Sequence, residues 1–317
     1  MVVYVSFTFS TVVGEINEKS KKLILPLHSA PLKVSISELS GNYIGIITSI
    51  TFGNITAKLL LDTGSRMLVL PKENCKGCLI KKPYYVPTEK AQLIECSSKE
   101  CMSITKTLNS CHDRESTGSC LAAITYADGT KWITQSYIDE VIINGSIIPN
   151  VLIGAIIGDI GTKQKSMNYG LLGLARCSGD SCLPTIVDSI IKFTGYKNMF
   201  GIRVEKDYSG KFTIGEPDLR EGESIVYAPL IPSYNEKYFV MPKSIKVLGI
   251  DRVVEVPTQL MSPTIVDTGS SISYFSPEIY DLIGNEIGDV CTLENGCDWL
   301  NKKSTLGYLY DFIEFTT

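Results

Sequence analysis

Histidine is almost missing from this 317-residue chain, which has two, His28 and His112. A Ser-His-Asp or Cys-His mechanism needs an imidazole in a catalytic context, and neither residue sits in one. Long apolar runs are missing as well. No stretch reaches the ~18 residues that a membrane-crossing helix requires. Residues 1–14 are apolar, yet no basic residue precedes them and no small-x-small cleavage site is clear. The segment reads equally as a weak signal peptide or as a β-strand rich in Val, Tyr, Phe and Thr. An excess of one charge is also lacking: 30 Lys and Arg stand against 34 Asp and Glu, for a formal net charge of −4. Without a basic stripe or a block of like charges, no nucleic-acid partner is expected. With 44% hydrophobic and 20% charged residues, the composition is that of a globular protein, which excludes disordered, collagen-like and coiled-coil chains.

Cysteine, by contrast, is plentiful and even in number, at 10. Cys75, Cys78, Cys96, Cys101, Cys111 and Cys120 form one cluster, followed by Cys177 with Cys182 and Cys291 with Cys297. Clustered, even cysteines point to an oxidising compartment. Two Asn-x-Ser/Thr acceptors, at Asn54 and Asn144, agree with a glycoprotein of the secretory pathway. Cys75-x-x-Cys78 with Cys96 and Cys101 is an alternative zinc set. The wider second spacing and the oxidising context favour disulfides instead, so no metal is expected. The cluster is expected to pair within itself, and Cys177 with Cys182. Cys291 and Cys297 either pair locally or have partners elsewhere.

The length suits two lobes. Short β-branched or alternating runs predict strands at 43–51, 57–61, 67–70, 121–126, 131–143, 151–156, 200–204 and 212–215. Helical patches are predicted at 185–193 and 277–287, the second opened by Ser276 and Pro277. The expectation is an all-β architecture with a few short helices.

One internal echo stands out. Leu59–Pro71 and Thr264–Pro277 each run an apolar strand into Asp-Thr-Gly-Ser and then into a second apolar segment. A given tetrapeptide arises by chance roughly once in 10⁵ positions, so two copies, each after a strand, indicate duplicated halves that each present one Asp. Glycine permits the sharp turn, and Thr and Ser supply donors that orient the carboxylate. If the halves face each other, two carboxyls in contact share one proton, because both cannot ionise easily. One then activates a water as general base while the other serves as general acid toward a carbonyl. No cofactor is required.

The pattern resembles the pepsin family of aspartic proteases, with Asp62-Thr63-Gly64-Ser65 and Asp267-Thr268-Gly269-Ser270 as its active-site loops. Ile124–Thr130, with Tyr126, Asp128 and Gly129, resembles the family flap. Leu171–Leu174 resembles the hydrophobic-hydrophobic-Gly segment beneath the first loop, and Lys211–Asp218 the strand shortly after the lobe junction. The order Cys96, Cys101, Cys111, Cys120 resembles the insertion of nepenthesin-type enzymes, and plasmepsin V carries a comparable one. The resemblance covers roughly residues 40–315.

What it implies is a bilobal endopeptidase acting on peptide or protein substrates, a monomer with no membrane span, in which Asp62 and Asp267 are catalytic. Tyr126, Asp128 and Gly129 would line the flap, and Ser65 and Ser270 would hydrogen-bond the carboxylates. The expected division is an N-terminal segment at 1–39, a first lobe at 40–198 and a second lobe at 199–317. Two departures stand against the family pattern. Arg66 replaces a small residue, as an exposed surface charge or as a charge in the substrate pocket or at the lobe interface. The stretch after Asp267 is short and holds no second hydrophobic-hydrophobic-Gly segment, so an incomplete second lobe is expected. Tyr84, Tyr85 and Trp132 are candidates for subsite walls or for plain packing. The rival readings are a non-catalytic pepsin-like binding or inhibitor module and an inactive fragment.

Overall fold

The computed structural model describes residues 3–8, 22–36, 39–52, 54–78, 83–105, 118–125, 131–143, 145–160, 170–176, 183–205, 209–221, 225, 227–231, 237–242, 244–247, 252–254, 257–270, 273–293 and 313–316. Its elements in order are β1 (Val3–Thr8), β2 (Lys22–Ile36), β3 (Leu39–Phe52), β4 (Ile55–Asp62), β5 (Leu68–Lys76), β6 (Gln92–Leu93), α1 (Lys99–Thr105), β7 (Leu121–Thr125), β8 (Lys131–Ile143), β9 (Ser146–Asp159), β10 (Gly170–Gly173), α2 (Ile186–Thr194), β11 (Met199–Val204), β12 (Gly210–Gly215), β13 (Phe239–Val240), β14 (Ser244–Val247), β15 (Arg252–Val254), β16 (Thr264–Ile265), α3 (Pro277–Leu293) and β17 (Ile313–Thr316). The fold is therefore mostly β with three short helices among the described residues, as composition and periodicity predict.

Twelve strands form one mixed sheet in the order β1-β11-β12-β2-β3-β4-β10-β5-β9-β8-β6, with β7 added on β8. Its middle carries the first Asp. Strand β10 lies between β4, to which it is parallel, and β5, to which it is antiparallel. Both faces of this region are covered. Leu59, Leu61, Leu68, Leu70 and Leu172 belong to one core, and Leu60, Val69 and Leu171 to the other. A strand buried on both sides has no polar face to offer, which is why Leu59–Leu61 reads as an unbroken apolar run. Each such leucine contributes roughly 1.5–3 kcal/mol.

The N-terminal residues take part in the same sheet. Strand β1 pairs antiparallel with β11, and β2 with both β12 and β3. Of the two readings for residues 1–14, β1 occupies part of the segment as a strand. Two smaller sheets follow, β13-β16 and β15-β14-β17.

The helices obey their local signals. Thr185 and Asp188 form a reciprocal capping box on α2, which Gly195 ends in the left-handed conformation at φ 70°. Ser276 accepts from the Ile279 amide at the start of α3. Helix α1 starts on Ser98, whose hydroxyl accepts from the Cys101 amide at 3.1 Å. Within the cysteine cluster, Cys75 bonds Cys78 and Cys101 bonds Cys120, and Cys96 is disulfide-bonded too. Two cysteines of the alternative zinc set, Cys75 and Cys78, are thereby joined to each other. Cys111, Cys177, Cys182 and Cys297 lie outside the described residues, and nothing is described of the Cys291 side chain.

Candidate active site

The first Asp-Thr-Gly-Ser loop leaves the C-terminal end of β4. Strand β10 runs beside it, with Gly173 opposite Asp62 in register. The Leu174 amide donates to Asp62 O and the Ala175 amide to Ser65 O, each at 2.8 Å. A side chain on Gly173 would strike the backbone of Arg66 and Met67, so the hydrophobic-hydrophobic-Gly pattern is a steric requirement of this crossing.

The second loop follows β16. Its amide at Val266 donates to Tyr238 O at 2.9 Å, and the Tyr238 hydroxyl donates to Leu174 O at 2.6 Å. One buried tyrosine thus ties both loops to a common support. Burial pushes its phenol well above the ordinary tyrosine range. Sequence reasoning missed Tyr238, since nothing in its short aromatic run marks a hydrogen-bonded core residue.

The two loops grip one another reciprocally. The Thr63 amide donates to Thr268 Oγ1 at 3.2 Å, and the Thr268 amide to Thr63 Oγ1 at 2.9 Å. Each hydroxyl then donates across to the opposite strand, Thr63 to Val266 O at 2.7 Å and Thr268 to Leu61 O at 2.9 Å. The carboxyls repeat the symmetry. Asp62 accepts from the Gly64 amide at 2.9 Å and from the Ser65 hydroxyl. Asp267 accepts from the Gly269 amide at 2.9 Å and from the Ser270 hydroxyl at 2.8 Å.

Asp62 and Asp267 come together at this junction. A Cβ on Gly64 would stand 2.7 Å from Asp267 Oδ2, and one on Gly269 would collide with Asp62 Oδ1. Asp62 is only 5% exposed, whereas Asp267 is half-buried. Burial raises the Asp62 carboxyl first, and the charge of Asp267 adds to it. The bonds from Ser65 and Gly64 oppose the rise, and the acid stands at about 6. Two facing carboxyls, one of which keeps its proton up to about pH 6, can bind a water or a carbonyl oxygen and pass a proton between them.

The other expected residues fall as follows. Tyr126, Asp128 and Gly129 lie outside the described residues, as do His112 and Asn144. Arg66 is half-buried and lines a pocket next to the first loop. Trp132 and Tyr85 are buried in the core at 0% and 2% exposure, so packing rather than subsite lining accounts for them. Tyr85 also donates to the buried Asp139 at 2.6 Å. Among the described residues no cluster of His, Cys, Asp and Glu is placed to hold a metal, and no helix is long and apolar enough to cross a membrane.

Fold and loops together define a pepsin-like protein. The chain belongs to the family described as xylanase inhibitor, N-terminal, whose model matches residues 47–216, more than half of its length. Among solved structures it is similar to the aspartic proteinase from Irpex lacteus, with a TM-score of 0.55 and 19% identity over 85% of this chain and 68% of that one. A likeness at that identity speaks for the fold alone. No curated protein matches the chain.

Proposed function

We propose that this chain is an aspartic endopeptidase in which Asp62 and Asp267 share one proton across a bound water. The observation that carries the reading is the reciprocal lock of the two loops through Thr63 and Thr268, which holds the carboxyls face to face. The ionised carboxylate takes a proton from water as its oxygen adds to the peptide carbonyl carbon, while the protonated partner donates to the carbonyl oxygen. Collapse of the resulting gem-diol breaks the C–N bond, and a proton passes to the departing amine. The proton belongs to the pair rather than to either residue. Tyr126, Asp128 and Gly129 would close over an extended peptide and exclude water, strengthening the electrostatics of the dyad. The disulfides support placing the protein in an oxidising, secretory compartment.

The test is hydrolysis of a quenched-fluorescence peptide library from acidic to neutral pH. Cleavage by the native chain, abolished in Asp62→Asn and in Asp267→Asn, is the expected result. Folded protein that cleaves nothing at any pH would sink the proposal.

The family description favours a second reading, a pepsin-like module that binds a partner without hydrolysis. A hydroxyl transition-state mimic such as pepstatin separates the two. A rise in melting temperature supports an assembled dyad, and an unchanged one supports the binding module.

A further inference from the structure

Asn54 stands at the turn between β3 and β4, where Phe52 and Ile55 face each other in register. It is exposed, and so is Thr56 two residues on. Strand β4 begins just after Asn54 and ends on Asp62. At the ordinary rise of a strand, about 25 Å separates Asn54 from the dyad. The neighbouring hairpin turns at the same end of the sheet. Thr51 of β3 pairs with Ile142 of β8, and Ile142 pairs with Ile147 of β9. Thr51 also pairs with Thr56, their hydroxyls 3.0 Å apart. Directly opposed residues share a face of the sheet, so Thr56, Thr51, Ile142 and Ile147 form one row across four strands. Ile147 is 47% exposed, which gives this surface row an apolar end.

We propose that Asn54 carries an N-linked oligosaccharide, held at the end of the sheet remote from Asp62 and Asp267. The proposal rests on the secretory placement made above. The donor is a lipid-pyrophosphate-linked oligosaccharide of that compartment, used by an oligosaccharyltransferase. The Asn54 amide nitrogen attacks the anomeric carbon of the sugar and gives up one proton. A C–N bond forms, the C–O bond to pyrophosphate breaks, and the lipid pyrophosphate leaves. Thr56 supplies the hydroxyl that the acceptor signal requires, and Ile55 meets its exclusion of proline at the middle position. Transfer acts on the chain before it folds, so the fold decides whether the sugar can stay. An exposed turn residue keeps a bulky glycan in water and outside the core. From there the glycan lies over the row that ends on Ile147 and keeps that apolar surface soluble. The separation along β4 leaves the space between the two catalytic loops open.

The experiment takes the full chain from its own cells, releases N-linked sugars with a peptide N-glycosidase in heavy-oxygen water, and maps the peptides by mass spectrometry. Release turns the asparagine that held the sugar into an oxygen-labelled aspartate. The label is expected in the peptide that spans Asn54. Asn54→Gln and Thr56→Val should each lose it, and Thr56→Ser should keep it, whatever the state of Asn144. The label is read without any activity, so it stands apart from the endopeptidase reading. Where peptides are cleaved, Asn54→Gln should keep kcat/KM within about twofold of the native value, and a larger fall would contradict the remote placement of the sugar. An unlabelled Asn54 peptide in protein whose disulfides are formed would overturn the proposal. Free thiols together with no label would mean that the secretory placement fails by itself. The full chain is then sent into the secretory pathway behind a cleavable signal peptide. A label at Asn54 there keeps the site, and its absence removes it.

Discussion

Thr63 and Thr268 each donate a backbone amide to the other's hydroxyl, and each hydroxyl donates onward to a carbonyl of the opposite strand. Four hydrogen bonds thus depend on two methyl-bearing hydroxyls, and Thr63 is fully buried. Thr63→Val keeps the shape and removes two of them, leaving the Thr268 amide and Val266 O unpaired. The expected loss is about 2–3 kcal/mol of stability, with a fall in peptide hydrolysis as the carboxyls drift apart. Thr268→Val should act similarly. In urea melts the double variant should lose less than the sum of the singles, by at least about 0.5 kcal/mol, because both belong to one network. Simple additivity would show that the two loops are held independently.

The raised acid of Asp62 fixes the sign of a pH effect. Its carboxyl stands at about 6 in the folded chain against an ordinary 3.8, so between these values the native state binds more protons than the unfolded one. Stability from this group is present below about 4 and is lost as pH rises through about 6. The change is on the order of 3 kcal/mol. Asp62→Asn cannot ionise, so its denaturation midpoint should be flatter across that window and higher than the native one at neutral pH. A native midpoint that climbs from pH 4 to 6 while the variant's stays level would contradict the desolvated dyad.

The candidate site was legible in the sequence because both copies of the loop follow apolar strands and share four identical residues. Asp62 and Asp267 meet because Thr, Gly and Ser recur beside each of them, and recurrence is visible without coordinates. Strands β4, β5, β8 and β11 were legible for the related reason that buried strands carry continuous or alternating apolar residues. Strand β2 was not read. Pro26 and Pro31 interrupt its pattern, and the pairing that overrides them comes from β3 and β12, distant in the chain. Helix α1 was missed because its seven residues are too few to show a 3.6-residue period, and the Cys101 disulfide holds it in place. The role of Tyr238 depends wholly on tertiary position, since its hydroxyl finds Leu174 O across 64 residues of chain.

Gly64 faces Asp267 across the junction of the two loops. Gly64→Ala places a methyl 2.7 Å from Asp267 Oδ2, inside van der Waals contact, so one carboxyl must move. A displacement near 1 Å costs catalysis about a hundredfold. The expected signature is a fall in kcat of that order with only a modest change in melting temperature, since half-buried Asp267 has room to yield. A variant with native kcat would mean that the carboxyls work at a wider separation than the loops impose.

Cys101 and Cys120 are both buried, at 1% and 0% exposure, and are separated by 19 residues. A cross-link of that span stabilises a fold by about 3 kcal/mol, chiefly by restricting the unfolded chain. The double variant Cys101→Ala, Cys120→Ala should lose about that much in denaturant melts. Its more informative effect falls on the pocket beside Arg66. Ser98 caps helix α1, and Ile104, which lines that pocket with Met67, Ile124 and Leu152, packs on the adjoining core. Without the disulfide, Ile104 is free to shift away from Ile124 and the apolar walls lose their fixed spacing. Discrimination between Leu and Lys peptides should therefore shrink severalfold in kcat/KM, while Asp62 and Asp267, held through Thr63 and Thr268 on separate strands, keep the same pH profile of hydrolysis. A pH profile displaced together with the selectivity would instead tie the disulfide to the dyad, and α1 would then be a support of the catalytic loops rather than a wall of the pocket.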